Sequence, residues 1–93
     1  MKPTLFRLTD ICQSHQIEVT FVKKLHENGL LKITVIESRE FVDEDQLSQL
    51  ERYANLYYDL ELNIQGIEIV ENLLQKIQNL QNEIQFLKGL RQD

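Results

Sequence analysis

The sequence predicts a mainly α fold: a small head of short helices with a β-hairpin, extended by one long C-terminal coiled-coil helix. Three observations carry this. Val70, Leu73, Ile77, Leu80, Ile84 and Leu87 alternate in steps of three and four, the 3.5-residue repeat of a helix that lies against another helix. Asn28-Gly29 and Asp43-x-x-Gln46 are stop and start signals between short amphipathic stretches. The run Lys32-Ile33-Thr34-Val35-Ile36 is β-branched and sits between them.

Taken in order, Thr9 is placed to cap a first helix of one to two turns, with Ile11 and Cys12 facing inward and a stop near Gln16. Ile17 follows in a bend. Val19, Phe21, Val22 and Leu25 then form the apolar side of a second helix, which ends where Gly29 can take the left-handed cap conformation. The two helices thus meet at a tight turn. Lys32–Ile36 is expected as a strand, Glu37-Ser38-Arg39-Glu40 as its turn and Phe41-Val42 as the return, making a small wing. Asp43 and Gln46 have the spacing of a reciprocal cap for a third helix, whose buried stripe is expected at Leu47, Leu50, Tyr53, Ala54, Tyr57 and Leu60. Tyr58 falls off that stripe and is the better surface candidate. Leu62-Asn63 is the next turn, Asn63 caps the last helix, and the absent side chain of Gly66 admits a close approach by another backbone.

The division expected is a head over residues 1–62 and a dimerisation helix over 63–93, together one structural unit. Branched Val or Ile fills every first seam position and Leu every second, while Gln75, Gln78, Asn79, Gln81, Asn82, Gln85 and Lys88 cover the other faces. Such a seam calls for a partner, and a homodimer is the expectation, with Val70, Leu73, Ile77, Leu80, Ile84 and Leu87 as its contacts. Ile and Leu in these places suit a parallel pair; Ile69, Leu74 and Leu90 widen the stripe and favour an antiparallel one.

Composition bounds the function. A chain of 93 residues supports one small domain plus an extended element. A single Cys12 excludes an intramolecular disulfide framework, and no apolar run reaches the about 20 residues that span a bilayer, so the cytoplasm is the expected location. The net charge of −5 is uneven: +2 over residues 1–36, −6 over 37–61 and −1 over 62–93. An acidic middle repels phosphate and attracts a basic protein surface. Enzymatic chemistry finds no footing, because there is no Gly-rich phosphate loop and no credible Ser-His-Asp arrangement. Cys12, His15 and His26 are too few for a zinc site, so neither a metal nor another cofactor is expected.

Helix, tight turn, helix, Gly-Leu-Leu, wing, acidic-capped helix and terminal coiled coil is the order of the MerR-like winged helix-turn-helix family, and Ile17 to Leu31 is similar to its second helix and exit. The chain resembles still more closely a branch of that family, the CbpM chaperone modulators, through Leu56-Tyr57-Tyr58-Asp59-Leu60-Glu61-Leu62-Asn63-Ile64-Gln65-Gly66-Ile67 and the opening Leu8-Thr9-Asp10-Ile11-Cys12. The resemblance implies a non-enzymatic regulator that binds the J-domain of a DnaJ/CbpA-type co-chaperone and blocks its stimulation of Hsp70. It also implies an antiparallel dimer. A J-domain presents a basic helix, so charge points to Glu40, Asp43, Glu44, Asp45 and Asp59 as candidate contacts, and expected exposure adds Tyr58.

The alternative is a MerR-like transcription regulator reading DNA through the second helix, with Thr20, Lys23 and Lys24 as its contacts. Against it, that helix carries only two lysines where groove readers place several Arg, Lys, Asn or Gln, and its wing adds Glu37 and Glu40. Nucleic acid is therefore the less expected partner.

Overall fold

The computed structural model describes residues 4–91, so the outermost ends of the expected head and helix lie outside the described residues. Strand β1 (Leu5–Arg7) runs directly into α1 (Leu8–His15), followed by α2 (Val19–Glu27), strands β2 (Thr34–Ile36) and β3 (Arg39–Asp43), α3 (Leu47–Ala54) and the long α4 (Ile64–Arg91). The described residues extend 55 × 37 × 21 Å.

The wing is larger than a hairpin. Three antiparallel strands lie in the order β1-β3-β2, with Phe6 opposite Val42 and Val35 opposite Glu40. Because β1 feeds α1 without a break, the residue before the helix is Arg7, in extended conformation with no side-chain cap, and Thr9 lies inside the helix instead of capping it. The expected strand Lys32–Ile36 is shortened to its last three residues, since Lys32 is held otherwise. Glu37 and Ser38 both have positive φ, 51° and 65°, the two-residue turn whose twist matches the flanking strands.

Left-handed residues end the helices. Gln16 (φ 55°) follows α1 and lets Ile17 N donate to Cys12 O at 2.9 Å; Gly29 (φ 74°) follows α2 and lets Leu30 N donate to Leu25 O at 2.9 Å. These closures turn Ile17 and Leu31 inward. The core joins Leu8, Ile11 and Cys12 of α1 to Phe21, Val22 and Leu25 of α2, Val42 of the sheet, Leu50 and Tyr53 of α3, and Ile67 of α4. Ile67 is fully buried, so the first turn of α4 completes the head.

The reciprocal cap expected of Asp43 and Gln46 is only half formed. Asp43 Oδ1 accepts from Asp45 N at 3.2 Å and opens a short 3₁₀ turn over Glu44–Gln46, but Gln46 does not reach back. Its amide instead clasps the backbone of Lys32, accepting from Lys32 N at 2.7 Å and donating to Lys32 O at 2.9 Å. A strand-entry backbone with both groups exposed competes better for that amide than one helix N–H. Asn63 caps α4 as expected, its Oδ1 accepting from Gly66 N at 2.8 Å. The neighbours a Cβ at Gly66 would meet first are side chains and not another backbone: that same cap oxygen at 3.3 Å and Leu62 at 3.6 Å.

The third helix is also shorter than its stripe. It ends at Ala54 and widens into a π turn over Asn55–Asp59, closed by Leu60 N donating to Asn55 O at 3.2 Å. One extra residue per turn rotates everything after it, so Leu60 leaves the buried face and is 65% exposed.

Candidate interaction surfaces

Three surfaces carry the predicted residues. The first is α2 with the wing. Lys23, expected on phosphate, makes an ion pair with Glu40 of β3 at 3.4 Å, and Thr20 Oγ1 donates to Glu18 Oε2 at 3.3 Å. Lys24 is exposed and enters no ion pair among the described residues. One predicted DNA contact and one predicted protein contact therefore bind each other, which weakens the claim of either to an external ligand. Both side chains remain half exposed, so a competing partner can still separate them.

The second surface is acidic and aromatic. Glu44 and Asp45 are exposed on the 3₁₀ turn beside β1, where Glu44 N donates to Thr4 O at 2.8 Å, while Asp43 is partly occupied as a cap. Tyr58 and Asp59 lie elsewhere, on the π turn. Tyr57 stacks on Phe21 with centroids 4.4 Å apart, and Tyr58 meets Phe21 and Tyr57 edge-on at 5.4 and 5.0 Å. Tyr58 is at the surface, 40% exposed, as its position off the stripe predicts. It is also held, because Glu18 N, at the start of α2, donates to its hydroxyl at 3.0 Å. The candidate contacts thus divide: Glu40 and Tyr58 are tied to the middle and the start of α2, and Asp43, Glu44 and Asp45 lie at the β1 side of the sheet.

The third surface is α4 beyond the head. Val70 is half-buried, whereas Leu73, Ile77, Leu80, Ile84 and Leu87 are between 50% and 57% exposed. With Ile69, Leu74 and Leu90 they make a continuous apolar face that the chain itself leaves uncovered. Polar faces are tied along the helix, Gln75 to Asn79 at 3.2 Å and Gln78 to Asn82 at 3.1 Å.

The sequence reading missed what fixes α4 to the head. Arg52 of α3 places one guanidinium nitrogen on both carboxylate oxygens of Glu71, at 2.8 and 2.7 Å, and lies 5.5 Å over the ring of Tyr53. Nothing local links residues nineteen apart on two helices, so spacing gave no signal. Burial raises the Tyr53 phenol above its ordinary value; the nearby Glu71 charge adds to this and Arg52 opposes it. Cys12, in the core, is raised by burial. A cleft of about 120 Å³ between α1 and α3, lined by His15, Ile17, Leu50, Glu51, Ala54 and Asn55, is below the volume that holds a drug-sized ligand. Among the described residues, no cluster of His, Cys, Asp or Glu has the makings of a metal site, and no helix is long and apolar enough to cross a membrane.

Comparison with known proteins agrees with this architecture. The family model described as MerR HTH family regulatory protein matches residues 6–89. The chaperone modulatory protein CbpM of Pseudomonas putida (strain W619) is 32% identical over 79 residues, covering 84% of this chain and 78% of that protein. Its counterpart in Pseudomonas entomophila (strain L48) is 28% identical over the same shares. The matched span runs from within β1, through the helix-turn-helix and the wing, to near the end of α4, and the chain belongs to the MerR helix-turn-helix family of regulatory proteins, in its CbpM branch.

Proposed function

We propose that the chain is a non-enzymatic chaperone modulator of the cytoplasm that binds the J-domain of a DnaJ/CbpA-type co-chaperone and blocks its stimulation of Hsp70. The relatives' name, chaperone modulatory protein, supports the general role. One structural observation carries the choice of protein over DNA: Lys23 is spent on Glu40, whereas Glu44, Asp45 and Asp59 are exposed and enter no ion pair among the described residues. A basic helix brought to this head meets unneutralised carboxylates; a phosphate backbone meets Lys24, with Arg39 on the wing offset by Glu37. The uncovered face of α4 supports a homodimer that carries two such heads.

Pull-down with the isolated J-domain, run beside a gel shift with duplex DNA, tests the proposal. J-domain capture that falls about tenfold in Glu44→Lys/Asp45→Lys or Asp59→Lys, with no DNA shift, is the expected result. The family match is equally compatible with a DNA-binding regulator, and salt-dependent DNA binding lost in Lys23→Glu and Lys24→Glu, with no J-domain capture, favours that reading instead.

A further inference from the structure

The sheet has two faces, and the chain covers only one of them. We infer that the outer face docks an amphipathic helix of another protein, one that carries carboxylates along one flank of its apolar stripe. This surface is opposite in charge to the one proposed for the J-domain and independent of that reading.

Side chains alternate along a strand, and directly paired residues of neighbouring strands share a face. Val42, fully buried, therefore marks the inner face, where Glu40 meets Lys23 of α2. The outer face is fixed by the same register: Leu5 pairs with Asp43, Arg7 and Thr34 flank Phe41, and Ile36 pairs with Arg39. With the strands in the order β1-β3-β2, these residues fall on three parallel diagonals. The middle diagonal is apolar, formed by Leu5, Phe41 and Ile36. Arg7 and Arg39 run along one side of it, and Asp43 and Thr34 along the other.

Nothing in the head occupies this stripe. Leu5, Phe41 and Ile36 stand apart from the core that buries Val42 behind them, and Ile36 is 46% exposed. A single exposed apolar residue is ordinary, whereas a stripe that crosses every strand of a sheet marks a contact surface. The charges beside it are also unspent. Both arginines are exposed and neither enters an ion pair among the described residues. The carboxylate on the same face, Asp43, is engaged instead by the N–H of Asp45 at 3.2 Å.

Shape and charge together choose the occupant. Each diagonal step spans about 8 Å, so the stripe is ~17 Å long, the rise of about eleven helical residues or three turns. A helix laid along it covers all three apolar residues and brings one flank over Arg7 and Arg39, whose guanidinium groups take carboxylates in forked hydrogen bonds. A phosphate backbone has no apolar flank to cover the stripe, and Glu37 beside the wing tip cancels the net positive field that draws a polyanion to Arg39. A second copy of α4 is mismatched as well, because residues 72–91 hold three basic groups and one acidic. An acidic flank on a helix of a different protein satisfies both requirements.

Two synthetic helical peptides of about 14 residues test this against the full-length, isotope-labelled protein. One has leucines on a single stripe and glutamates along one flank; the other has lysine in place of every glutamate. Amide shifts confined to β1, β2 and β3 should saturate with the glutamate peptide and need about tenfold more of the lysine peptide. Arg7→Glu/Arg39→Glu should reverse that preference with the near-ultraviolet tyrosine signal intact, while Lys24→Glu on α2 should leave it unchanged. Should the reversal unfold the head, Arg7→Gln/Arg39→Gln should abolish the preference without inverting it. Shifts centred on α2 or α4, equal binding of the two peptides, or no binding at millimolar peptide overturns the assignment. Duplex DNA that shifts the same sheet residues where the glutamate peptide does not overturns it in favour of a nucleic-acid face.

Discussion

The head and the distal part of α4 use apolar residues of the same kinds to opposite ends. In the head, Val22, Leu25, Val42 and Ile67 have no exposed surface, so the chain supplies its own partners for them. Past Glu71, every seam residue keeps at least half its surface in water. The difference lies in dimension: the head closes because elements return on three sides, while a single helix of 28 residues, ~42 Å long, has nothing to fold back onto it. A periodic sequence therefore marks where a chain needs a partner, but only the closed region shows which contacts are already satisfied.

The largest test of this contrast is Ile77→Asp/Leu80→Asp. It should leave a monomer by sedimentation with the head's near-ultraviolet tyrosine signal intact, because carboxylates in the seam touch none of the residues that bury Tyr53. Leu25→Ala should do the reverse, costing about 3 kcal/mol of head stability in urea unfolding, since a fully buried leucine leaves a cavity. Between the regions lies the Arg52–Glu71 pair. Removing either side chain should cost about 1 kcal/mol and loosen the start of α4, with a double-mutant cycle separating the pair from its packing. The smallest effect is alkaline. Burial raises the Cys12 thiol and the Tyr53 phenol above their ordinary values of 9.0 and 10.0. The neutral forms are thus favoured in the folded head, and their stabilisation is complete below pH 9 and lost as pH rises through the raised values. Urea midpoints should fall above pH 9, and Cys12→Ala should remove the first part of that fall.

Much of the fold was legible because its signals are local. Gly29 after an amphipathic stretch and the seam spacing each predict an element from neighbours within two turns. Strand β1 was not legible, because Leu5-Phe6-Arg7 is too short to alternate and its order comes from Asp43, Val42 and Phe41, far along the chain. Leu60 was misplaced because the stripe assumes a constant helical period, which the π turn breaks. Among the candidate contacts, the sequence named both Lys23 and Glu40 and foresaw neither as the other's partner, since a 3.4 Å contact between α2 and the wing exists only after the head has closed.

On the proposed reading, this head presents charge for a protein and not for a polynucleotide. Calorimetric titration with the isolated J-domain at rising ionic strength tests it most directly. Saturable heat at low salt that weakens as salt is added, with none from duplex DNA under the same conditions, is the result predicted. No heat from the J-domain at any salt, together with salt-dependent heat from DNA, contradicts it.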